Sequence, residues 1–178
     1  MKKQIFFDTN NFTTYPCVGK AYLDFIDYAF EKTDYFMLVY INWYGKGYSK
    51  SMKHFRDALK KYKVKSRINP KWPGTPYSYS NGTTYKVIFY RVCEEAKAIL
   101  KEVDGMNSWC GSNPEDLAFF KGNRCWFYSV GHEWIAGIIH ADEEDIAFVE
   151  SLGLARAESA IPEDAYYDLY DEILEGLL

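Results

Sequence analysis

Between Trp43 and Trp72 the chain interleaves aromatic rings with cations. Trp43, Tyr44 and Tyr48 flank Lys46 and Lys50 on a segment that carries Gly45 and Gly47. Lys53, Arg56 and Lys60 carry the positive charge onward, and Arg67, Lys71 and Trp72 follow. Cations neutralise phosphate, aromatic faces stack on bases at about 1–3 kcal/mol each, and glycine lets backbone approach an anion. Lys50 falls at a predicted helix N-terminus, where free N–H groups favour an anion. Trp43, Tyr44, Lys46, Tyr48, Lys50, Lys53, Arg56 and Trp72 therefore form the candidate site for a small anionic, nucleotide-like ligand. The same residues also fit a solvated basic helix face above ordinary core aromatics. The run Gly45-Lys46-Gly47-Tyr48-Ser49 shares only composition with the phosphate-binding GxxxxGK[ST] loop.

A second set could carry acid–base chemistry. Gly131-His132-Glu133-Trp134 puts an imidazole beside a carboxylate at a predicted turn, with His140 on the adjoining strand. Such a pair can serve as a general base, and it equally suits a turn histidine bonded to backbone. His132-Glu133 lacks the second histidine of HExxH. The four cysteines, Cys17, Cys93, Cys110 and Cys125, form no CxxC pair. Spacing thus leads to the expectation of no metal site, no cofactor and free thiols. Cys110, in Ser108-Trp109-Cys110-Gly111-Ser112, becomes a nucleophile only if the fold lowers its pKa and brings His132 or His140 beside it. No GxSxG is present. With no complete catalytic motif, binding without catalysis is favoured over a small enzyme using His132 and Glu133.

The run Pro114-Glu115-Asp116-Leu117-Ala118-Phe119-Phe120, followed by Trp126, Ser129, His132 and Glu133, resembles a run in small uncharacterised proteins of Firmicutes and their phages. Some of those carry a sporulation-protein label. The resemblance covers about residues 114–133 and brings no catalytic residue with it. It implies a bacterial or phage cytosolic protein from an accessory gene, and a phage protein that sequesters a signalling nucleotide of host defence would fit.

Charge is strongly segregated. Ten of the 21 basic residues lie between Lys46 and Lys71, with Asp57 the only acid among them. Twelve of the 25 acids lie between Asp142 and Glu175, with Arg156 the only base. The acidic, Tyr-rich end opens with Pro162 and predicts a helix over 162–178, with Tyr166, Leu169, Tyr170, Ile173 and Leu174 on one face. It can pack on the domain, dock a protein partner as an immunity module would, or meet the basic helix of a second copy in a homo-oligomer. The sequence pI of 5.4 argues against a nucleic-acid polymer as partner.

These groups need a scaffold, and the pattern predicts an α+β one: a mostly antiparallel sheet with a C-terminal β-meander, packed by four to five amphipathic helices. At 178 residues, 48% of them hydrophobic, the chain can close one core over 1–178. No apolar run approaches the roughly 20 residues that span a bilayer. The opening run to Asp8 lacks the apolar stretch of a signal peptide, so a cytoplasmic protein is expected. Val18, Ala21, Tyr22, Phe25, Ile26, Ala29 and Phe30 mark one helix face. Tyr35 to Ile41 is an uninterrupted apolar run and predicts a central strand. Met52, Phe55, Leu59 and Tyr62 mark the next helix, and Asn69 to Gly82 a long mobile or functional loop. Thr83 to Val92 predicts a strand, Val92 to Val103 a helix, and the runs 117–120, 124–130 and 134–140 an antiparallel meander. Asp142 and Asp145 predict a capped short helix.

Overall fold

The apolar run Tyr35–Ile41 has no polar face to present to water, so it must sit inside a sheet covered on both sides. In the computed structural model it does. The structure describes residues 3–8, 17–75, 81–154 and 156–160. In chain order the elements are β1 (Lys3–Asp8), α1 (Lys20–Lys32), β2 (Tyr35–Asn42), α2 (Lys50–Ala58), β3 (Lys63–Ile68) and β4 (Thr84–Arg91). Then follow α3 (Glu94–Leu100), β5 (Glu115–Lys121), β6 (Arg124–Val130), β7 (Ile135–Ile139), α4 (Glu143–Ser151) and β8 (Arg156–Ala160). The strands form one sheet in the order β3-β4-β2-β5-β6-β7-β1-β8, and every pairing is antiparallel. The fold is α+β, with four α-helices among the described residues. None of these is long and apolar enough to cross a membrane.

The helices lie on one face of the sheet, as aromatic contacts show. Phe25 and Phe30 of α1 reach Phe119 of β5 and Phe36 of β2, and Phe36 stacks on Tyr90 of β4 with ring centres 5.2 Å apart. Phe148 of α4 stacks on Tyr28 of α1 at 3.8 Å, and Tyr22 of α1 donates to Leu100 O at the end of α3. Each buried aromatic brings large apolar area and a directional ring contact. The opposite face carries Met37, Val39, Val87 and Phe120, all buried.

Several expectations shift at their edges. The α1 stripe is buried from Tyr22 to Phe30, but the helix starts at Lys20 because Val18 forms a β-bridge with Gly105 instead. The helix expected over 92–103 is shorter, since the Val92 N–H is taken by Asp34 O. Two strands were not legible: β3 follows α2 through a single 3-10 turn, Lys60–Tyr62, and β8 pairs with β1. The described part of the long loop is anchored, because Trp72 and Thr75 bridge one another and Trp72 is 2% exposed. The helix expected over 162–178 lies outside the described residues.

Candidate functional site

The basic segment is positioned by three successive devices. β2 ends at Asn42, and a 3-10 turn, Trp43–Gly45, leads out of the sheet. Gly47 has φ +88, a region that excludes most side chains, and its N–H donates to Asn42 Oδ1 at 2.6 Å. Ser49 then caps α2, its Oγ accepting from Met52 N at 2.9 Å. Met52 and Phe55 face the sheet, and Phe55 meets Trp109 edge-on at 5.2 Å. The exposed side of α2 is thereby forced to be the basic one.

The last turn of α2, the 3-10 turn and the start of β3 fold back over β4. Arg56, Lys60 and Lys63 converge there on Lys86, above a floor of Ile88 and Tyr90, around a cleft of about 270 Å³. Asp57 is the one acid at its wall, and it pairs with Arg56 at 3.1 Å. Among the described residues no carboxylate pairs with Lys60, Lys63 or Lys86. Four cations close together in one cleft repel one another and attract an anion. Another cleft of about 240 Å³ mixes Lys32, Lys121 and Arg124 with Asp142 and Asp145 and so carries little net field. Its Lys32 is already bonded to Glu144.

The sequence-predicted ligand residues separate into four groups. Arg56 lines the cleft, and its guanidinium lies 5.6 Å from the ring centre of half-buried Tyr48. Trp43 and Tyr44 are 44% and 60% exposed, with Lys46 Nζ 6.0 Å from the Tyr44 ring centre. Lys86 pairs across the sheet with Tyr40, two residues before β2 ends, so these rings emerge at the Lys86 end, about 7 Å further along the strand. Lys50 and Lys53 are exposed on α2 and do not line the cleft. Trp72 is a correction. Its ring is in the core and its Nε1–H donates to Asp116 Oδ2 at 2.7 Å, so it offers no face for stacking. Sequence reasoning missed Lys63 and Lys86 as site residues. Lys86 was visible only as the polar partner in a strand alternation.

The second set assembles around residues that spacing did not single out. β5 opens with a bulge: Met37 pairs with Ala118 but Val39 with Glu115, leaving one extra residue on β5, and Asp116 takes φ 56. Asp116 accepts from Trp72 Nε1, from Gly131 N at 2.9 Å and from Thr75 Oγ1 at 3.5 Å. Glu115 is 7% exposed, and its Oε2 stands 4.0 Å from His132 Nδ1. His132 Nε2 stands 3.7 Å from Glu133 Oε1. Cys110 borders this group, because a Cβ built on Gly131 would stand 3.1 Å from its Cβ. Burial and the carboxylates of Glu115 and Asp116 push the Cys110 thiol up, which opposes the thiolate that a nucleophile needs. Its Sγ–H points to Asn107 O. His140 follows the far end of β7 from His132, so the two histidines do not share a site.

Burial pushes the Glu115 carboxyl up to about 7, the Asp116 charge adds to this, and His132 and the Gly111 N–H oppose it. Burial also raises Asp116 against its hydrogen bonds. A carboxyl raised in the folded state stabilises the fold while protonated. That contribution is complete below the unfolded value of 4.5 and is lost as pH rises through about 7. The melting temperature should therefore fall between about pH 5 and pH 8, with roughly 2–3 kcal/mol of stability lost. Glu115→Gln should flatten the slope in a thermal melt series. An unchanged slope would assign it to other groups.

Compared with known protein families, with curated proteins and with solved structures, the chain finds no match.

Proposed function

We propose that this protein binds a small phosphate-bearing, nucleotide-like ligand in the cleft between α2, β3 and β4, with Trp43 and Tyr44 as stacking rings at one end. The observation that carries this reading is the convergence of Arg56, Lys60, Lys63 and Lys86 on one cleft whose single acid is already paired. Cations held by a helix end and two paired strands are positioned before ligand arrives, so little ordering cost falls on binding. Tyr90 O–H donates to Tyr40 at 2.8 Å beneath them, which fixes the floor. Among the described lining residues there is no histidine, cysteine or serine to act as base or nucleophile. The protein in this reading holds its ligand without transforming it, as an accessory protein of a bacterium or phage sequestering a signalling nucleotide would.

A thermal-shift panel tests the class of ligand. ATP and a cyclic dinucleotide should raise the melting temperature by several degrees, inorganic phosphate by less, and adenosine not at all. Trp43→Ala with Tyr44→Ala should reduce the nucleotide shift towards that of phosphate, since each lost stacking contact is worth about 1–3 kcal/mol. Equal shifts with adenosine and ATP would contradict a phosphate-directed site.

A further inference from the structure

Buried carboxylates are normally paired with a cation or coordinate a metal. Glu115 and Asp116 are both buried, are adjacent in sequence, and face no lysine or arginine among the described residues; His132 is the basic group within reach. One ligand atom from each of Glu115, Asp116 and His132 lies within 4.8 Å of the other two. Around an ion bonded at about 2.1 Å, tetrahedral donors stand about 3.4 Å apart. A contraction of at most about 1.4 Å thus brings the set to bonding distance. The gap from Glu115 Oε2 to His132 Nδ1 is 4.0 Å, and His132 has room to close it because it is exposed on the 3-10 turn after β6.

From this convergence of two buried carboxylates and an imidazole, we infer that Glu115, Asp116 and His132 bind one divalent transition cation. The outer contacts match what such ligands require, since ligating carboxylates are themselves held by hydrogen bonds. Trp72 Nε1 and Thr75 Oγ1 hold Asp116 Oδ2, the Gly131 N–H holds Oδ1, and the Gly111 N–H bonds Glu115. Oδ1 keeps a lone pair for the ion. Two oxygens and one imidazole nitrogen, without sulfur, suit Mn²⁺ or Zn²⁺ better than a thiolate-seeking metal or Ca²⁺. Three protein ligands would leave a coordination position open for water or a further ligand. The sequence expectation of no metal site rested on linear spacing, and these ligands come from β5 and from the turn that follows β6. The site shares no residue with the basic cleft, so each can fail alone.

Chelator-treated, dialysed protein should be titrated separately with MnCl₂ and ZnCl₂ by calorimetry. Wild type is expected to bind one ion of at least one metal per chain with micromolar or tighter affinity. His132→Ala and Glu115→Gln should each weaken that binding at least tenfold, while Lys63→Ala leaves it unchanged. His132 is exposed, so His132→Ala tests the site even if Glu115→Gln fails to fold. Absence of binding by wild type, or full affinity in His132→Ala, would overturn the assignment.

Discussion

Gly131→Ala is expected to leave little folded protein, although Gly131 needs no unusual backbone angle. A Cβ there would stand 2.2 Å from the Trp109 carbonyl oxygen and 2.9 Å from its carbon. Neither atom can give way. The oxygen accepts from Asp116 N at 3.1 Å, and the buried Trp109 indole donates to Tyr22 at 3.0 Å. Moving the strand end instead would pull the Gly131 N–H from Asp116 Oδ1. Overpacking costs about 1–3 kcal/mol, and losing a hydrogen bond to a buried charge adds about 1.5–3 kcal/mol. The sum, about 2.5–6 kcal/mol, reaches the low end of the roughly 5–15 kcal/mol by which domains are stable. Gly47→Ala is the control: nothing lies within 4 Å of its Cβ, so only its φ of +88 is strained, at about 1–2 kcal/mol. Urea unfolding curves should separate the two variants widely. Similar midpoints would show that the approach to Trp109 is not rigid.

Asp116→Ala should be nearly as damaging, for an electrostatic reason. It strips the acceptor from Trp72 Nε1 and from the Gly131 N–H, both in the buried interior. Two buried donors left unsatisfied cost about 1–3 kcal/mol each. Alanine also inherits φ 56, a left-handed conformation that Asp and Asn tolerate better. Asp116→Asn should therefore recover part of the loss, keeping the conformation and one acceptor oxygen. If Asn were no better than Ala in urea midpoint, the hydrogen-bonded clamp on residues 72–75 would not be what Asp116 contributes.

The contrast between legible and hidden features has a physical pattern. The α1 stripe, the β2 run and the meander could be read because each buries a continuous apolar face whose period announces the element. The Asp142 cap of α4 was readable for a similar local reason, and its capping box with Asp145 is present. β3 hid because it is an edge strand: Lys63-Val64-Lys65-Ser66-Arg67-Ile68 has the charged look that protects a sheet edge from pairing with other chains. The cleft hid with it. Lys63 and Lys86 meet only through a strand pairing that includes a register shift between Lys63 and Lys65, and register cannot be counted from one strand alone. Trp72 was misplaced because its neighbours are basic, whereas its indole is held by a carboxylate 44 positions on. Glu115 and Asp116 stood in plain view but gain meaning only from the β5 bulge and from His132 across the hairpin.

In the proposed function, cations from α2, β3 and β4 together hold a phosphate-bearing ligand. Calorimetric titration of ATP into wild type and into Lys60→Ala/Lys63→Ala/Lys86→Ala, each at low and high salt, tests it most directly. These three side chains are exposed or half-exposed and lack carboxylate partners among the described residues, so the variant should fold. The expected result is saturable binding by wild type that weakens steeply with salt, and a loss of at least a hundredfold in the variant. Binding of equal strength in both proteins, or no binding by wild type at low salt, would rule out this cleft as the phosphate site.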